Sequence, residues 1–149
     1  MKIADLLDGL DLFQDFSYPE LEAIARYLQL EQVAKGKVVF HEGDPGSYML
    51  ILVSGRISIF KGGEHGRQLL SHEMRGRIIG EMAMLDQERR SATCIAEDDC
   101  ELLTLSTENL KKFSHDHPGT AYRFMFCLAR LLSRRLRRVS GMMADFLGH

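Results

Sequence analysis

The chain has 149 residues, of which 45% are hydrophobic and 27% are charged, and its formal net charge at pH 7 is -2. This length and balance are typical of one globular domain with a core large enough to fold alone. Because the charges nearly cancel, the chain as a whole has no field that would attract nucleic acid or an anionic membrane. Any binding must therefore depend on a local site.

The cysteines and the N-terminus indicate the compartment. Cys94, Cys100 and Cys127 are odd in number, widely spaced and free of a C-x-x-C pattern, which favours reduced thiols packed as small core residues. No long apolar segment follows Met1, and no later run approaches the ~18 apolar residues of a membrane span. We therefore expect a soluble, cytoplasmic protein with no membrane partner.

The beginning of the chain is expected to be helical. The segment "PELEAIARYLQL", residues 19–30, has apolar residues at helical spacing, and Pro19 is well tolerated in a first turn. This pattern predicts a helix.

The middle of the chain changes to short β-branched or apolar runs separated by turn signals such as Gly43-Asp44-Pro45-Gly46. Many short strands at intervals of about 8–12 residues predict a β-sandwich or a jelly-roll barrel. The predicted strands are "KVVF", "YMLILV", "RISIF", "RQLLSH", "RII", "SATCIA" and "CELLTL".

The end of the chain is again expected to be helical. Ser106 can cap a short helix that ends at Phe113, and Pro118 can begin a longer one that runs toward Phe146. About 28 residues at a rise of ~1.5 Å span roughly 40 Å, so we expect part of this helix to protrude or pair.

The expected fold class is therefore α+β, a β jelly-roll barrel flanked by N-terminal helices and a long C-terminal helix. We expect a single domain over residues 1–149, with helices in 1–36, the β-roll in 37–105 and helices in 106–149.

The stretch "IIGEMAMLDQERRSAT", residues 78–93, carries the candidate site. Its helical segment is far below the ~12–15 residues that an isolated helix needs, so tertiary contacts or a ligand must hold it. The N–H groups at its start, beside Gly80, form a candidate anion site, and Arg90 can hold two phosphate oxygens. Glu81 can accept a hydrogen bond from a ribose hydroxyl. Phosphate and ribose together indicate a nucleotide.

Each of these residues also has an explanation that needs no ligand. A glutamate in a first helical turn is favourable to the helix dipole, and an arginine in a polar turn is usually a solvated charge. No G-x-x-x-x-G-K-[ST] motif is present, which disfavours ATP or GTP hydrolysis.

A metal enzyme is the competing interpretation of the strand region. His41, His65 and His72 suggest a cupin, but their spacing does not repeat the H-x-H and Glu pattern of such a site. His115-Asp116-His117 is interpreted as a polar turn between helices. We expect no catalytic residues, no metal and no cofactor.

The segment "GEMAMLDQERRSAT" resembles the phosphate-binding cassette of the cyclic-nucleotide-binding domain family, which includes bacterial catabolite activators, protein kinase A regulatory subunits and nucleotide-gated channels. The segment "HEGDPGSYMLILVSGRISIF" is similar to the second and third strands of that family, with their Gly-Asp-x-Gly turn. The order of helix, jelly roll and helices extends the resemblance over essentially the whole chain, with the cassette at 80–93.

The resemblance implies that Glu81 binds the ribose 2′-hydroxyl and that Arg90 binds the cyclic phosphate, whereas Arg89 is expected to be a surface charge. The remaining expected ligand contacts come from a glycine, nearby backbone N–H groups and one hydroxyl: Gly80, Met82, Ala83, Ser91 and Ala92.

Two positions affect how far the resemblance can be carried. Arg77 occupies a position at which the family's Gly-Asp-x-x-Gly-Glu lead-in has an acidic residue. This difference affects a contact within the turn and not the ligand site. Ser91 resembles bacterial cyclic AMP receptors more than the alanine of kinase subunits or the threonine of cyclic GMP sites. Cyclic AMP is therefore the expected ligand, with cyclic GMP left open.

The resemblance implies a sensor that signals through the helix after the barrel, because a ligand shifts an equilibrium only by binding two states differently. The chain has no room there for a DNA-binding domain, a kinase or a channel pore, so we expect a stand-alone module or a fragment with an unidentified downstream protein. The alternative is an interaction module with a weak or unused nucleotide site. Its basic run, residues 134–138, would contact acidic partners or nucleic acid.

The last helix also carries a heptad pattern, with apolar residues at every position of the seam except Arg135. This predicts a homodimer through a parallel helix pair, and the resemblance places Arg135 near the base of the ligand. Over so few turns a 3.5-residue period cannot be separated from 3.6. The alternative is a stripe that packs on the barrel, with Leu136 in the core and Arg135 exposed. The seam consists of Met125, Leu128, Leu132, Arg135, Val139, Met142 and Phe146.

Overall fold

The computed structural model describes residues 2–62 and 66–146, with side chains as far as residue 142. The chain divides into two compact units, Met1–Lys112 and Phe113–His149. The expectation of a single domain stays a prediction. Within the described residues, no helix combines the length and apolar character that crossing a membrane requires.

The first unit begins with two short helices, α1 (Ile3–Asp8) and α2 (Tyr18–Ala25), joined through a 3-10 turn at Asp11–Phe13. A capping box starts α2: the Ser17 hydroxyl accepts a hydrogen bond from the Glu20 backbone N–H at 3.3 Å, and the Glu20 carboxylate accepts one from the Ser17 N–H at 3.0 Å. Two backbone donors at the helix start are thereby satisfied.

The end of α2 differs from the prediction. The helix stops at Ala25, and residues 29–33, expected within the N-terminal helices, form strand β1 (Gln29–Val33). This strand pairs antiparallel with β8 (Cys100–Ser106), from Gln29 opposite Thr104 to Val33 opposite Cys100. Pairing with a distant strand outweighs the weak local preference for helix, and the β-roll therefore begins earlier than residue 37.

The other strands agree with the predicted runs to within about two residues at each end. The short helix α3 (Glu81–Asp86) lies between the sixth and seventh strands. The strands are β2 (Val38–Phe40), β3 (Tyr48–Ser54), β4 (Ile57–Lys61), β5 (Gln68–Glu73), β6 (Ile78–Ile79), β7 (Thr93–Ala96) and β8.

The eight strands form two four-stranded antiparallel sheets, in the orders β1-β8-β3-β6 and β2-β7-β4-β5. This confirms the α+β jelly-roll class, with two open sheets instead of a closed barrel. Side chains from both sheets make one apolar cluster, which consists of Phe40, Leu50, Leu52, Ile57, Ile79, Cys94, Ala96, Cys100 and Leu102.

All three cysteines are free thiols. Cys94 and Cys100 are buried, which confirms their interpretation as small core residues, and Cys127 is half-buried. Burial raises the pKa of the Cys94 thiol to about 12. This thiol therefore stays protonated and unreactive at neutral pH.

Helix α4 (Thr107–Asp116) follows the last strand. Its start is capped as predicted, because the Asn109 backbone N–H donates to the Ser106 hydroxyl at 3.0 Å. Its end was predicted at Phe113, which is wrong: His115 and Asp116 belong to the helix and not to a turn.

The second unit contains the long helix α5 (Pro118–Phe146), with the predicted bounds. The ring of Phe113 packs edge-on against Phe124, with 6.2 Å between centroids. Leu136 is 67% exposed and Arg135 is half-buried. The alternative with Leu136 in the core and Arg135 exposed is therefore wrong. The side chain of Phe146, the last seam residue, lies outside the described ones.

Candidate functional site

A left-handed glycine links β6 to α3. Gly80 has φ of 79°, and a Cβ built at this position would overlap Nη1 of Arg90. Both the backbone conformation and the lack of space therefore require glycine here. The close approach brings Arg90 against the start of α3, as the spacing of the cassette predicts.

Arg90 is fixed to the chain on both sides of its guanidinium. Nη1 donates to the Gly80 carbonyl at 3.0 Å and Nη2 donates to the Tyr48 carbonyl. The Arg90 backbone is held as well, since its N–H donates to the Asp44 carbonyl and its carbonyl accepts from the Gly43 N–H, both at 2.8 Å. The turn after β2 and the cassette thus share one hydrogen-bonded frame.

The charge of Arg90 is buried, with 3% of the residue exposed. None of the ion pairs between described side chains includes it, and its Nε is a buried donor with no hydrogen-bond partner. Burial lowers the pKa of this guanidinium. A buried cation that lacks a carboxylate partner is costly for the fold and is therefore suited to bind an anion.

Glu81 begins α3 and is also buried, with 4% exposed. Carboxylates are rarely buried to this extent in proteins. Its role toward a ribose hydroxyl stays a prediction.

The other residues expected at the site differ in exposure. Ala83 and Ala92 are buried, whereas Met82 is 64% exposed and Ser91 is exposed. Arg135 lies on α5, in the second unit. The described contacts therefore join Gly80 directly to Arg90 and leave the roles of these other residues as predictions.

Arg89 is exposed, as expected, but it also makes a structural contact. Its Nη1 donates to the Gly43 carbonyl at 2.8 Å. At the unusual lead-in position, Arg77 pairs with Glu73 through Nε and Oε2 at 2.8 Å, so this arginine also has a local partner. A local charge pair thus occupies this turn, outside the cassette.

Three residues of the site were not predicted from the sequence. Phe40 and Tyr48 lie on either side of the turn between β2 and β3, and their rings flank the Arg90 guanidinium. Gly46 packs closely against α3. A Cβ at this position would overlap the Cβ of Ala83 and lie 2.7 Å from the Glu88 carbonyl oxygen. The sequence signal that could have identified Phe40 and Tyr48 is the presence of an aromatic residue on each side of this turn.

His41 and His72, the described histidines of the strand region, belong to no candidate metal centre among the described residues. No group of three or more potential metal-ligating side chains occurs within the described part of the chain. His72 lies against Ser58 and Glu97, and Nδ1 of His41 lies 3.8 Å from Asp44. His65 lies outside the described residues.

Comparison with known proteins decides the family. The model of the cyclic nucleotide-binding domain family matches residues 30–117, which include both sheets and the cassette. This chain belongs to that family. The resemblance inferred from the cassette is therefore confirmed, and the chain is a cyclic nucleotide-binding domain of the regulatory type.

Curated relatives of this domain include two regulatory proteins. The Cyclic AMP receptor protein of Thermus thermophilus is 33% identical over 135 residues, 88% of this chain and 59% of that protein. A cAMP-dependent protein kinase regulatory subunit of Hypocrea atroviridis is 35% identical over 101 residues, 68% of this chain and 21% of that protein. The chain thus spans only part of each relative.

A solved structure supports the fold directly. A cyclic nucleotide-binding domain from Methylobacillus flagellatus superposes with a TM-score of 0.83 at 29% sequence identity, over 97% of this chain and 82% of that one. The cyclic nucleotide-binding domain described here thus has the architecture of a known member of its family.

Proposed function

We propose that this domain binds cyclic AMP and acts as a regulatory sensor that signals through α5. The observation that carries the proposal is the buried guanidinium of Arg90, which has a free Nε donor and no carboxylate partner among the described side chains. An anion that reaches this group regains the electrostatic stabilisation lost on burial.

The proposed roles follow the family resemblance. Arg90 binds the cyclic phosphate and Glu81 accepts a hydrogen bond from the ribose 2′-hydroxyl, while neighbouring backbone N–H groups and the Ser91 hydroxyl complete the contacts. The choice of cyclic AMP rests on Ser91 and on the relatives, one named as a cyclic AMP receptor and one as a subunit of a cAMP-dependent kinase. Output through α5, with Arg135 near the base, rests on the resemblance alone.

The test is calorimetric titration of the chain with cyclic AMP and with cyclic GMP. We expect saturable binding, with cyclic AMP bound more tightly than cyclic GMP. A clear excess of affinity for cyclic GMP would overturn the choice of base. Absence of binding to either would favour the interaction-module alternative.

The matched variants are Arg90→Ala and Arg89→Ala. Removing Arg90 deletes charged hydrogen bonds worth ~1.5–3 kcal/mol each to the phosphate, so we expect a loss of at least about 10–100-fold in affinity. Arg89→Ala removes a neighbouring exposed charge and should change affinity little. Equal affinities of the two variants would contradict the assignment of the cassette.

A further inference from the structure

Two aromatic rings enclose the guanidinium of Arg90. Its Cζ lies 4.2 Å from the centroid of the Phe40 ring and 4.7 Å from that of the Tyr48 ring. Phe40 ends β2 and Tyr48 begins β3, so the two strands that flank the Gly43–Gly46 turn each supply one ring. Aromatic faces attract a cation through their quadrupole, and they do so more strongly where water is excluded.

The hydrogen-bond donors of Arg90 set the direction from which an anion can bind it. All N–H bonds of a guanidinium lie in its plane, so its hydrogen-bond donors point outward from the edges of the group. The Gly80 and Tyr48 carbonyls accept two of these hydrogen bonds, and Nε is left as a buried donor without a hydrogen-bond partner. An anion must therefore meet an edge of the group, where its donors already point.

We propose that Phe40 and Tyr48 are positioning residues, whose rings hold the Arg90 guanidinium in one plane at the cassette and thereby set the affinity for the phosphate of the ligand. This inference rests on the proposed function of the site. Without a ring, the side chain gains rotational freedom and water reaches its charge. Both changes must be reversed when the ligand binds, so the affinity falls.

The ring of Tyr48 is assigned this role, and the hydroxyl is tested separately. The hydroxyl donates to the Val39 carbonyl at 3.5 Å, which is the long limit of a hydrogen bond. Tyr48→Phe keeps the ring and is the conservative control, while Tyr48→Leu removes the ring and retains an apolar side chain.

The experiment is calorimetric titration with cyclic AMP of the wild type, Tyr48→Phe, Tyr48→Leu and Phe40→Leu. We expect a loss of about 10-fold in affinity for each leucine variant and a change of no more than about 2-fold for Tyr48→Phe. Because Phe40 is a core residue, Phe40→Leu risks unfolding the chain. Tyr48→Leu, at a half-buried position, then carries the test.

A second measurement separates positioning from general destabilisation. Leu52→Ala removes atoms from the same core cluster without touching Arg90, so it should lower the unfolding midpoint and leave the affinity nearly unchanged. Affinity that follows stability alone across all variants would overturn the inference.

The result for the wild type separates the positioning role of the two rings from the proposed binding of cyclic AMP. If the wild type binds cyclic AMP and both leucine variants bind equally well, the positioning role is wrong and the function stands. If the wild type binds neither cyclic nucleotide, the function is wrong and the inference falls with it.

Discussion

Glu97, the residue after β7, has three polar neighbours. The Ser58 hydroxyl donates to its Oε1, His72 Nδ1 contacts the same oxygen, and Arg56 Nε lies 3.2 Å from its Oε2. The hydrogen bond from Ser58, together with His72 and Arg56, holds the pKa of this carboxyl below its ordinary value of 4.5. Glu97 thus forms an ion pair, whereas Arg90 forms none with the described side chains.

The lowered pKa makes the contribution of Glu97 to stability depend on pH. A carboxyl with a depressed pKa in the folded state stabilises the fold above its unfolded pKa, and this stabilisation is lost as the pH falls through the folded value. We expect Glu97→Gln to have a lower unfolding midpoint than the wild type at about pH 7, and the difference to shrink toward about pH 3. Thermal melts across this range measure it.

Asp98, the exposed carboxylate next to Glu97, provides the control. Asp98→Asn also removes one negative charge, but that charge lacks the partners of Glu97. Its difference from the wild type should vary less with pH. A Glu97→Gln difference that stayed constant over the whole range would show that the partners do not act through the charge.

At the scale of elements, α2 depends on its cap. With eight residues it is too short to be stable alone, and its first turn is held by the reciprocal hydrogen bonds of Ser17 and Glu20. Leu21 and Ile24, on its apolar face, are buried in the core of the first unit. Packing and capping must therefore act together on this helix.

Ser17→Ala should lower the free energy of unfolding by about 1 kcal/mol, because a backbone N–H at the start of α2 loses its acceptor. Urea denaturation measures this as a lower midpoint with an unchanged slope. Ser114→Ala, at an exposed position inside α4, is the control and should be neutral or slightly stabilising. Equal losses in both variants would contradict the role of the cap.

At the scale of the whole molecule, α5 presents apolar side chains to solvent. Val139 and Met142 of the heptad seam are 52% and 64% exposed. Helices with such a seam associate when a second copy covers it, and a charged residue within the seam weakens the association. The homodimer therefore stays a specific prediction for this helix.

We expect Arg135→Leu to dimerise more tightly than the wild type without nucleotide and to respond less to cyclic AMP. Replacing a seam charge by an apolar residue removes the desolvation cost at the helix contact. Sedimentation equilibrium measures both effects, and Arg134→Leu, which lies outside the seam, is the matched control. Monomers in all three proteins, with and without cyclic AMP, would exclude a dimer formed through this seam.

The sequence by itself determined the features that depend on neighbours along the chain. The apolar runs predicted β2 to β8, Ser106 predicted the start of α4, and Pro118 predicted the start of α5. The Gly-Glu pair and the arginine of the cassette indicated the candidate site. Each of these signals is a residue preference or a hydrophobic period within a single secondary-structure element.

Only the tertiary structure decided the features that join distant parts of the chain. Residues 29–33 read as the end of a helix but pair with β8, and Leu136 is exposed although its helical spacing suits a core residue. The enclosure of Arg90 by Phe40 and Tyr48 depends on how two strands and the cassette meet. Such contacts leave no periodic trace in the sequence, because their geometry is set by sheet pairing and not by local conformation.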